Sequence, residues 1–451
     1  LPPPFAQIPR HPLLYPHPSP IHPLPALTKH LLPTPSPITL HAKREDQASP
    51  LASAGNKYRK LEYLVPDILS PTPQYGGVGP SPERGSAPAP AAGPNTNTTT
   101  TRPTKPTTLV TEGALQSNHT VQVAALATHL GLDAVLLLHK TTGGAWRAAP
   151  DPRAFTRTGN VQIARLLGAD IRMLDSANVA AATPQPRNEA AEPRTKNADA
   201  DADASPAADE EDGIAAILHT LRTQDGKTPY WIPSGASLHP LGGLGYARCA
   251  FEIAAQEEEE DAALSHGRYD YIFVACGSGS TLGGLIAGFK LLEKIQGCSQ
   301  ATAAGQQRPP RKIIGVLTSP TSPKAYHEAR VLRFARQAAG RIGLDAQREV
   351  TAADVTLEDR FVGAGYGVLD AETKRTMDVM ARTEAVVLDP VYTAKVARAM
   401  MHWVGTGELA EDWRRRRTDT GTGKTAEEPD DSVNVLFIHT GGQSALSAYA
   451  D

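Results

Sequence analysis

The sequence predicts an α/β fold with mostly parallel sheets flanked by helices. Three observations carry this. Strand-like and helix-like stretches alternate along the chain, two strand runs are apolar throughout, and a glycine-rich turn joins one of them to a helix.

The elements follow in order. Thr108–Thr111 reads as a short strand, and Val121–Leu130 has the apolar spacing of a helix ending at Gly131. Ala134–Leu138 is a buried-strand run, Val161–Leu167 is helical up to Gly168, and Ile171–Leu174 is again a strand. Tyr271–Ala275 is an apolar β-rich run and Leu282–Leu292 a helix, with further strands at Ile313–Val316 and Val433–Ile438. Four segments interrupt the pattern. Residues 71–107 are rich in Pro, Gly, Ser and Thr. Residues 182–212 are rich in Ala, Asp and Glu, residues 299–311 in Gln, Ala and Pro, and residues 414–430 run from four arginines to an acidic end. They lack apolar periodicity and read as surface loops inserted into shorter connections. The run Arg414–Arg417 reads as a solvated loop with acidic neighbours rather than a polyanion site.

Composition narrows the function classes. A chain of 451 residues with 40% hydrophobic content holds one large domain or two ordinary ones. A net charge of -3 gives no footing for nucleic acid or anionic membrane as general partners. No apolar run approaches the roughly 20 residues of a membrane helix. The three cysteines, Cys249, Cys276 and Cys298, fit neither a zinc site nor a disulfide framework, which points to a reducing, cytoplasmic setting. The chain opens Leu1-Pro2-Pro3-Pro4, without an initiator Met or the pattern of a signal peptide, and reads as a fragment or a processed form.

Three clusters carry chemistry. The turn Cys276-Gly277-Ser278-Gly279-Ser280-Thr281-Leu282-Gly283-Gly284 follows a strand and opens a helix, so its backbone N–H groups face an anion. Its spacing is neither a dinucleotide fingerprint nor a Walker A loop. Gly55-Asn56-Lys57 places a lysine at the start of an amphipathic helix, where burial makes an amine neutral part of the time. Gln116-Ser117-Asn118-His119-Thr120 sits where a strand ends and a helix begins. There Ser117 or Asn118 caps the helix, a role compatible with ligand contact. His119 and His439 read as structural donors, since no ligand cluster that would hold a metal accompanies them.

Together with further blocks, these clusters resemble the D-cysteine desulfhydrase and 1-aminocyclopropane-1-carboxylate (ACC) deaminase group of pyridoxal-phosphate (PLP) enzymes. The blocks are Lys43-Arg44-Glu45-Asp46, Gly159-Asn160, Gly168-Ala169-Asp170, Ile232–Ser237, His239–Gly245, Gly365-Tyr366-Gly367, Asp389-Pro390-Val391-Tyr392 and His439-Thr440-Gly441-Gly442. They fall in the family's order, interrupted only by the inserts. The resemblance implies a tryptophan-synthase-β-like (fold type II) architecture with PLP in the cleft between two domains. The larger would comprise residues 1–59 and 229–451, the smaller residues 60–228. It implies Lys57 as the Schiff-base lysine, Asn118 at the ring hydroxyl and the turn Gly277–Thr281 at the phosphate. It also implies Ser117 by the substrate carboxylate and reacting carbons, Tyr366 and Tyr392 lining the substrate pocket, and a homodimer.

The resemblance also bears on the substrate. ACC deaminases of this group carry Glu after the Asp-Pro-Val-Tyr tyrosine and Leu before the late Gly-Gly. This chain has Thr393 and Thr440 there, the desulfhydrase pattern. A carboxylate facing the cofactor's ring nitrogen deepens the electron sink, while a hydroxyl leaves it shallower. Loss of a thiol needs less help than opening a cyclopropane ring. The expected reaction is β-elimination on a small D-amino acid, D-cysteine first, giving pyruvate, ammonia and hydrogen sulfide. ACC deamination is the alternative, and a non-catalytic PLP-binding or interaction protein the alternative of another class. Ala54, Ala114, Val121 and the pair Gln443-Ser444 depart from the family's usual residues.

Overall fold

The computed structural model describes residues 1–76, 105–140, 151–174, 205–259, 264, 267–299, 308–419 and 432–449. Among the described residues ten strands form two sheets. The larger holds β1 (Ile21–Pro23), β2 (Ile38–Arg44), β7 (Tyr271–Cys276), β8 (Lys312–Leu317), β9 (Thr356–Glu358) and β10 (Val433–His439), in the order β1-β2-β10-β7-β8-β9. Among its described strands only the β1–β2 pair is antiparallel. The smaller holds β3 (Thr108–Ala114), β4 (Asp133–His139), β5 (Asp170–Met173) and β6 (Pro229–Ile232), in the order β5-β4-β3-β6, all parallel. Helices between successive parallel strands supply the crossovers that such pairing requires. Thr108 of β3 is in register with Asp133 on one side and Pro229 on the other, so the smaller sheet runs on to Ile232.

The strand runs read from sequence match β3, β4, β5, β7, β8 and β10 to within a few residues at each end. Each has at least one face under a helix layer. On β7, Ile272 and Val274 enter one core, while Tyr271 and Phe273 enter another with Trp403, Trp413 and Phe437. On the smaller sheet, Val110, Val135 and Leu137 meet Ile214, Leu218 and Leu221.

That last contact corrects the loop expected over 182–212. Ser205–Thr223 is a helix, because Ile214, Leu218 and Leu221 recur at helical spacing and cover the outer sheet face. The rest of that insert, and most of those at 71–107 and 299–311, lie outside the described residues. The arginine run also differs. Arg414–Arg417 continues the helix Glu408–Asp419, which is anchored by buried Leu409 and Trp413, and Arg415 donates to Asp412 one turn back at 2.6 Å. Among the described residues no helix is long and apolar enough to cross a membrane.

A buried ionic network joins the helix Lys57–Ile68 to the larger sheet. Arg59, 1% exposed, donates to Glu45 at 2.9 Å and to Glu252 at 2.7 Å, and Lys43 donates to Glu252 at 2.7 Å. Tyr246 adds a bond to Glu45 at 3.0 Å. Burial opposes the charge on Glu45, but Arg59 and Lys43 outweigh it and hold the carboxyl below its usual range. Close backbone contact completes the junction: a Cβ on Gly245 would lie 2.0 Å from the Arg59 carbonyl oxygen. Removing one member of such a network strands its partners in the core. Arg59→Ala is therefore expected to cost about 3–5 kcal/mol in urea unfolding. Arg172→Ala, at a half-exposed pair with Asp170, should cost under about 1 kcal/mol. Equal, small losses would contradict a structural role for the network.

Candidate active site

The loops at the C-terminal ends of β3, β4, β7, β8 and β10 converge on one cavity of about 310 Å³. This is where ligands sit in parallel α/β sheets, and the volume suits a small molecule. Lys57, Ser117, Asn118, Gly277, Ser278, Gly279, Thr281, Tyr366, Tyr392 and Thr440 all line it, which brings together ten of the residues singled out from sequence.

Lys57 is the first residue of its helix, and its surroundings fix it closely. Its backbone N–H and that of Tyr58 both donate to Gln122 Oε1, at 3.1 and 3.2 Å. The preceding turn is clasped to the end of β10. Gly55 forms a β-bridge with Gly441, and Asn56 N–H donates to the Thr440 carbonyl at 3.1 Å. A Cβ on Gly55 would lie 2.7 Å from that carbonyl oxygen, so the clasp requires glycine. The ammonium faces the cavity among protein atoms, and burial lowers its pKa to about 8. Two other buried lysines are also depressed. Lys60 donates to Gly235 O and Ser280 Oγ, and Lys395 to the carbonyls of Thr318 and Val362. Neither lines the cavity, so Lys57 is the amine placed to react there.

Ser117 and Asn118 enter from the end of β3. Ser117 caps the helix Asn118–Leu130, its Oγ accepting from His119 N–H at 3.2 Å. A Cβ on Gly113 would lie 2.8 Å from that hydroxyl, which accounts for the glycine. Asn118 Oδ1 accepts from Asn160 at 2.8 Å, and Asn160 in turn accepts from Ser444 Oγ. Gln443 donates to Asp46 at 2.8 Å. The departure Gln443-Ser444 thus ties the C-terminal segment to Asn160, which holds Asn118, and to Asp46. His119 is held by Thr111 at 2.9 Å, and burial with Lys57 and Lys60 keeps its ring well below its usual pKa.

The glycine-rich turn joins β7 to the start of a helix. Gly279 has φ +95° and lies between β7 and the helix Ser280–Ser299, whose first N–H groups lack helical acceptors. Thr281 lines the cavity and accepts from Asn56 Nδ2 at 3.2 Å. Ser280 differs from the sequence expectation. Its side chain is 1% exposed and lies between Lys60 and Ser237, at 2.9 Å from each, so it steadies the turn from behind.

Thr393 differs more. Its hydroxyl donates to Asp389 Oδ1 at 2.7 Å and accepts Asp389 N–H at 2.7 Å, and it does not reach the cavity. Asp389 also accepts the N–H groups of Val391, Tyr392 and Thr393. This locked loop leads into the helix Thr393–Gly405, whose first N–H donates to Asp389, and sets Tyr392 at the cavity. The Tyr392 and Tyr366 hydroxyls bond to one another, with the rings edge-to-face at 6.1 Å. Burial raises Tyr366 to about 12 and Tyr392 well above its usual value, so both are neutral donors at physiological pH.

Sequence reasoning missed His139, Ser319, Thr321, His327 and Arg330, which also line the cavity. His327 and Arg330 stand three apart near the start of the helix Lys324–Ile342. That spacing puts them on one helix face, but the apolar pattern around them is that of any amphipathic helix.

The depressed amine gives a direct test. In protein free of small ligands, labelling of Lys57 by a small amine reagent, followed by peptide mass mapping, is expected to be half-maximal near pH 8. Ordinary exposed lysines follow near pH ~10.4. Labelling of Lys57 in step with them would contradict the burial of its amine.

Comparison with known proteins agrees with this geometry. Residues 13–415 match the model of the family described as pyridoxal-phosphate dependent enzyme. The chain is 34% identical over 448 residues to 1-aminocyclopropane-1-carboxylate deaminase of Burkholderia lata (strain 383), covering 98% of this chain and 97% of that one. It is 34% identical to the enzyme of the same name from Ralstonia nicotianae, over 98% and 96% of the two chains. It is 32% identical to the probable 1-aminocyclopropane-1-carboxylate deaminase of Schizosaccharomyces pombe, over 98% and 97%. A crystal structure of an ACC deaminase homologue superposes with a TM-score of 0.62 at 24% identity, over 98% and 96% of the two chains, which speaks to the fold. The buried cavity-facing amine of Lys57 and the anion turn at Gly277–Thr281 fit an aldehyde-bearing phosphate cofactor. This chain belongs to the pyridoxal-phosphate-dependent enzymes of the ACC deaminase family.

Proposed function

We propose that this enzyme catalyses β-elimination on a small D-amino acid, with D-cysteine as substrate and pyruvate, ammonia and hydrogen sulfide as products. One observation carries the reading: among the described residues, the cavity lining contains hydroxyls and cations but no carboxylate. Bound PLP supplies an electron sink for charge developing at the substrate's α-carbon. Without a carboxylate to hold the ring nitrogen charged, that sink is shallower and suits a good leaving group such as a thiol. Thr440, at the end of β10, is the cavity hydroxyl that takes the place of a bulkier apolar residue in the resemblance. Thr393 supports the reading indirectly, by locking the loop that presents Tyr392.

The protein's groups divide the work. Lys57 Nζ, released when substrate is bound, takes the proton from the substrate's α-carbon. Its lowered pKa keeps a useful fraction in the free-base form near neutral pH. Ser117 Oγ and the first N–H groups of the helix Asn118–Leu130 face the substrate carboxylate. Asn118 orients the cofactor ring, held by Asn160. Tyr366 and Tyr392 are neutral and share one hydrogen bond, which leaves one hydroxyl proton of the pair to face the departing group.

ACC deamination is the second reading, favoured by the names of relatives 32–34% identical over nearly the whole chain. It retains Lys57, Ser117 and Tyr392 but requires ring opening without the carboxylate. The proposal includes the larger body of residues 1–59 and 229–451 and the smaller of residues 60–228, with one correction: β6 pairs with β3, so the return to the larger body comes after Ile232 rather than at 229. It also includes a homodimer, on the resemblance, and a cytoplasmic location, supported by the buried free thiols of Cys249 and Cys276.

The test offers D-cysteine, L-cysteine and ACC to the purified holoenzyme. Sulfide and pyruvate from D-cysteine alone are expected, with Lys57→Ala lowering turnover roughly 10²–10⁴-fold or more. 2-Oxobutyrate from ACC as the main product would replace this reading with the second. Silence on all three would favour a different substrate or a binding role.

A further inference from the structure

Two basic side chains at the cavity have no part in the chemistry above. Arg330 and His327 lie on the helix that follows β8, one turn apart, and both line the cavity. Among the described residues Arg330 makes no ion pair or hydrogen bond, and its guanidinium stands 5.7 Å from the Phe334 ring centre. His327 is 5% exposed; its ring engages the Ser322 backbone, while Nε2 is buried without a hydrogen-bond partner. A buried ring nitrogen without a partner calls for an explanation, and beside a half-buried guanidinium with no counter-charge an anionic ligand supplies one.

Their position says which ligand. The same helix packs on the glycine-rich turn: a Cβ at Gly279 would lie 3.3 Å from Phe334 and 3.4 Å from Val331, the residue after Arg330. Arg330 is within electrostatic reach of Cys276, at the start of that turn, and of Lys60, which bonds Ser280 Oγ inside it. Three basic groups, Lys57, Lys60 and Arg330, therefore gather around a turn whose N–H groups already favour an anion, with no carboxylate in the cavity lining to balance them. The substrate side of the cavity is built by Ser117, Tyr366 and Tyr392, from other elements.

We propose that Arg330, assisted by His327, forms a second wall of the cofactor's phosphate seat, opposite the backbone donors of the turn at Gly277–Thr281. The guanidinium adds a charge-assisted hydrogen bond to the dianion, and His327, whose other ring nitrogen serves the Ser322 backbone, donates from Nε2 as the protonated ring that the dianion favours. This rests on the turn being the phosphate seat. The arrangement implies a cofactor gripped by its phosphate more tightly than the turn alone provides.

The experiment measures the dissociation constants of PLP and of pyridoxal, which lacks the phosphate, for the full chain by absorbance titration after removal of cofactor. Arg330→Gln, Arg330→Lys and Thr281→Val are compared with the unaltered protein. Arg330→Gln is expected to weaken PLP by roughly tenfold or more, to leave pyridoxal unchanged, and to be partly rescued by Arg330→Lys. Equal weakening of both ligands would assign Arg330 a structural role and overturn the proposal. An unchanged PLP constant with a raised KM for the amino acid would place Arg330 at the substrate and overturn it too. If Thr281→Val discriminates PLP from pyridoxal and Arg330→Gln does not, the proposal fails while the seat stands. If neither discriminates, the seat itself is misplaced.

Discussion

The site depends on how the first turn of the Lys57 helix is held against the end of β10. The Gly55–Gly441 bridge, the bond from Asn56 to Thr440 and the two N–H bonds to Gln122 place one amine in the cleft and leave its side chain free to react. A single clasp thereby joins three elements that are far apart in sequence: the N-terminal helix, the helix after β3 and the last strand. The Arg59 network on the far side of the same helix prevents it from sliding away. Rigid backbone holding a mobile reactive side chain is what proton transfer at a fixed carbon requires.

Charge is arranged in layers around that amine. Carboxylates are present nearby, but each is engaged elsewhere: Asp389 by its own loop, Asp46 by Arg44 and Gln443, Glu45 by Arg59. The cavity is left with cations and hydroxyls, a setting that favours an anionic cofactor and a carboxylate-bearing substrate. Burial lowers both Lys57 and Lys60, the neighbouring Lys57 lowers Lys60 further, and a bound dianion would favour the charged form of each. Cofactor binding and amine protonation are therefore coupled at this site.

Much of this was legible in the sequence, for physical reasons that differ by element. β7, β8 and β10 declare themselves because both faces are covered and nearly every position is apolar. β2 hides because His41 and Lys43 are buried polar residues inside it, the latter serving the ionic network. The helix Ser205–Thr223 hides because its N-terminal part belongs to a low-complexity run and its apolar spacing begins at Ile214. At the site, Lys57, Ser117 and Asn118 were readable because their motifs occur at element junctions, where backbone geometry restricts residue choice. Thr393 was readable as important but not in its direction, since only the folded loop shows that it bonds Asp389 rather than a ligand. Arg330 and His327 left no sequence signal, because a helix face that meets a cavity looks the same as one that meets water.

The central claim is that Lys57, and not its depressed neighbours Lys60 or Lys395, carries the cofactor. Borohydride reduction of the holoenzyme, proteolysis and mass mapping of the pyridoxyl-modified peptide test it directly. The account expects the modification on Lys57 alone, because Lys60 is held by Gly235 and Ser280 and Lys395 lies outside the cavity. Modification of Lys60, Lys395 or any other lysine in place of Lys57 would contradict it.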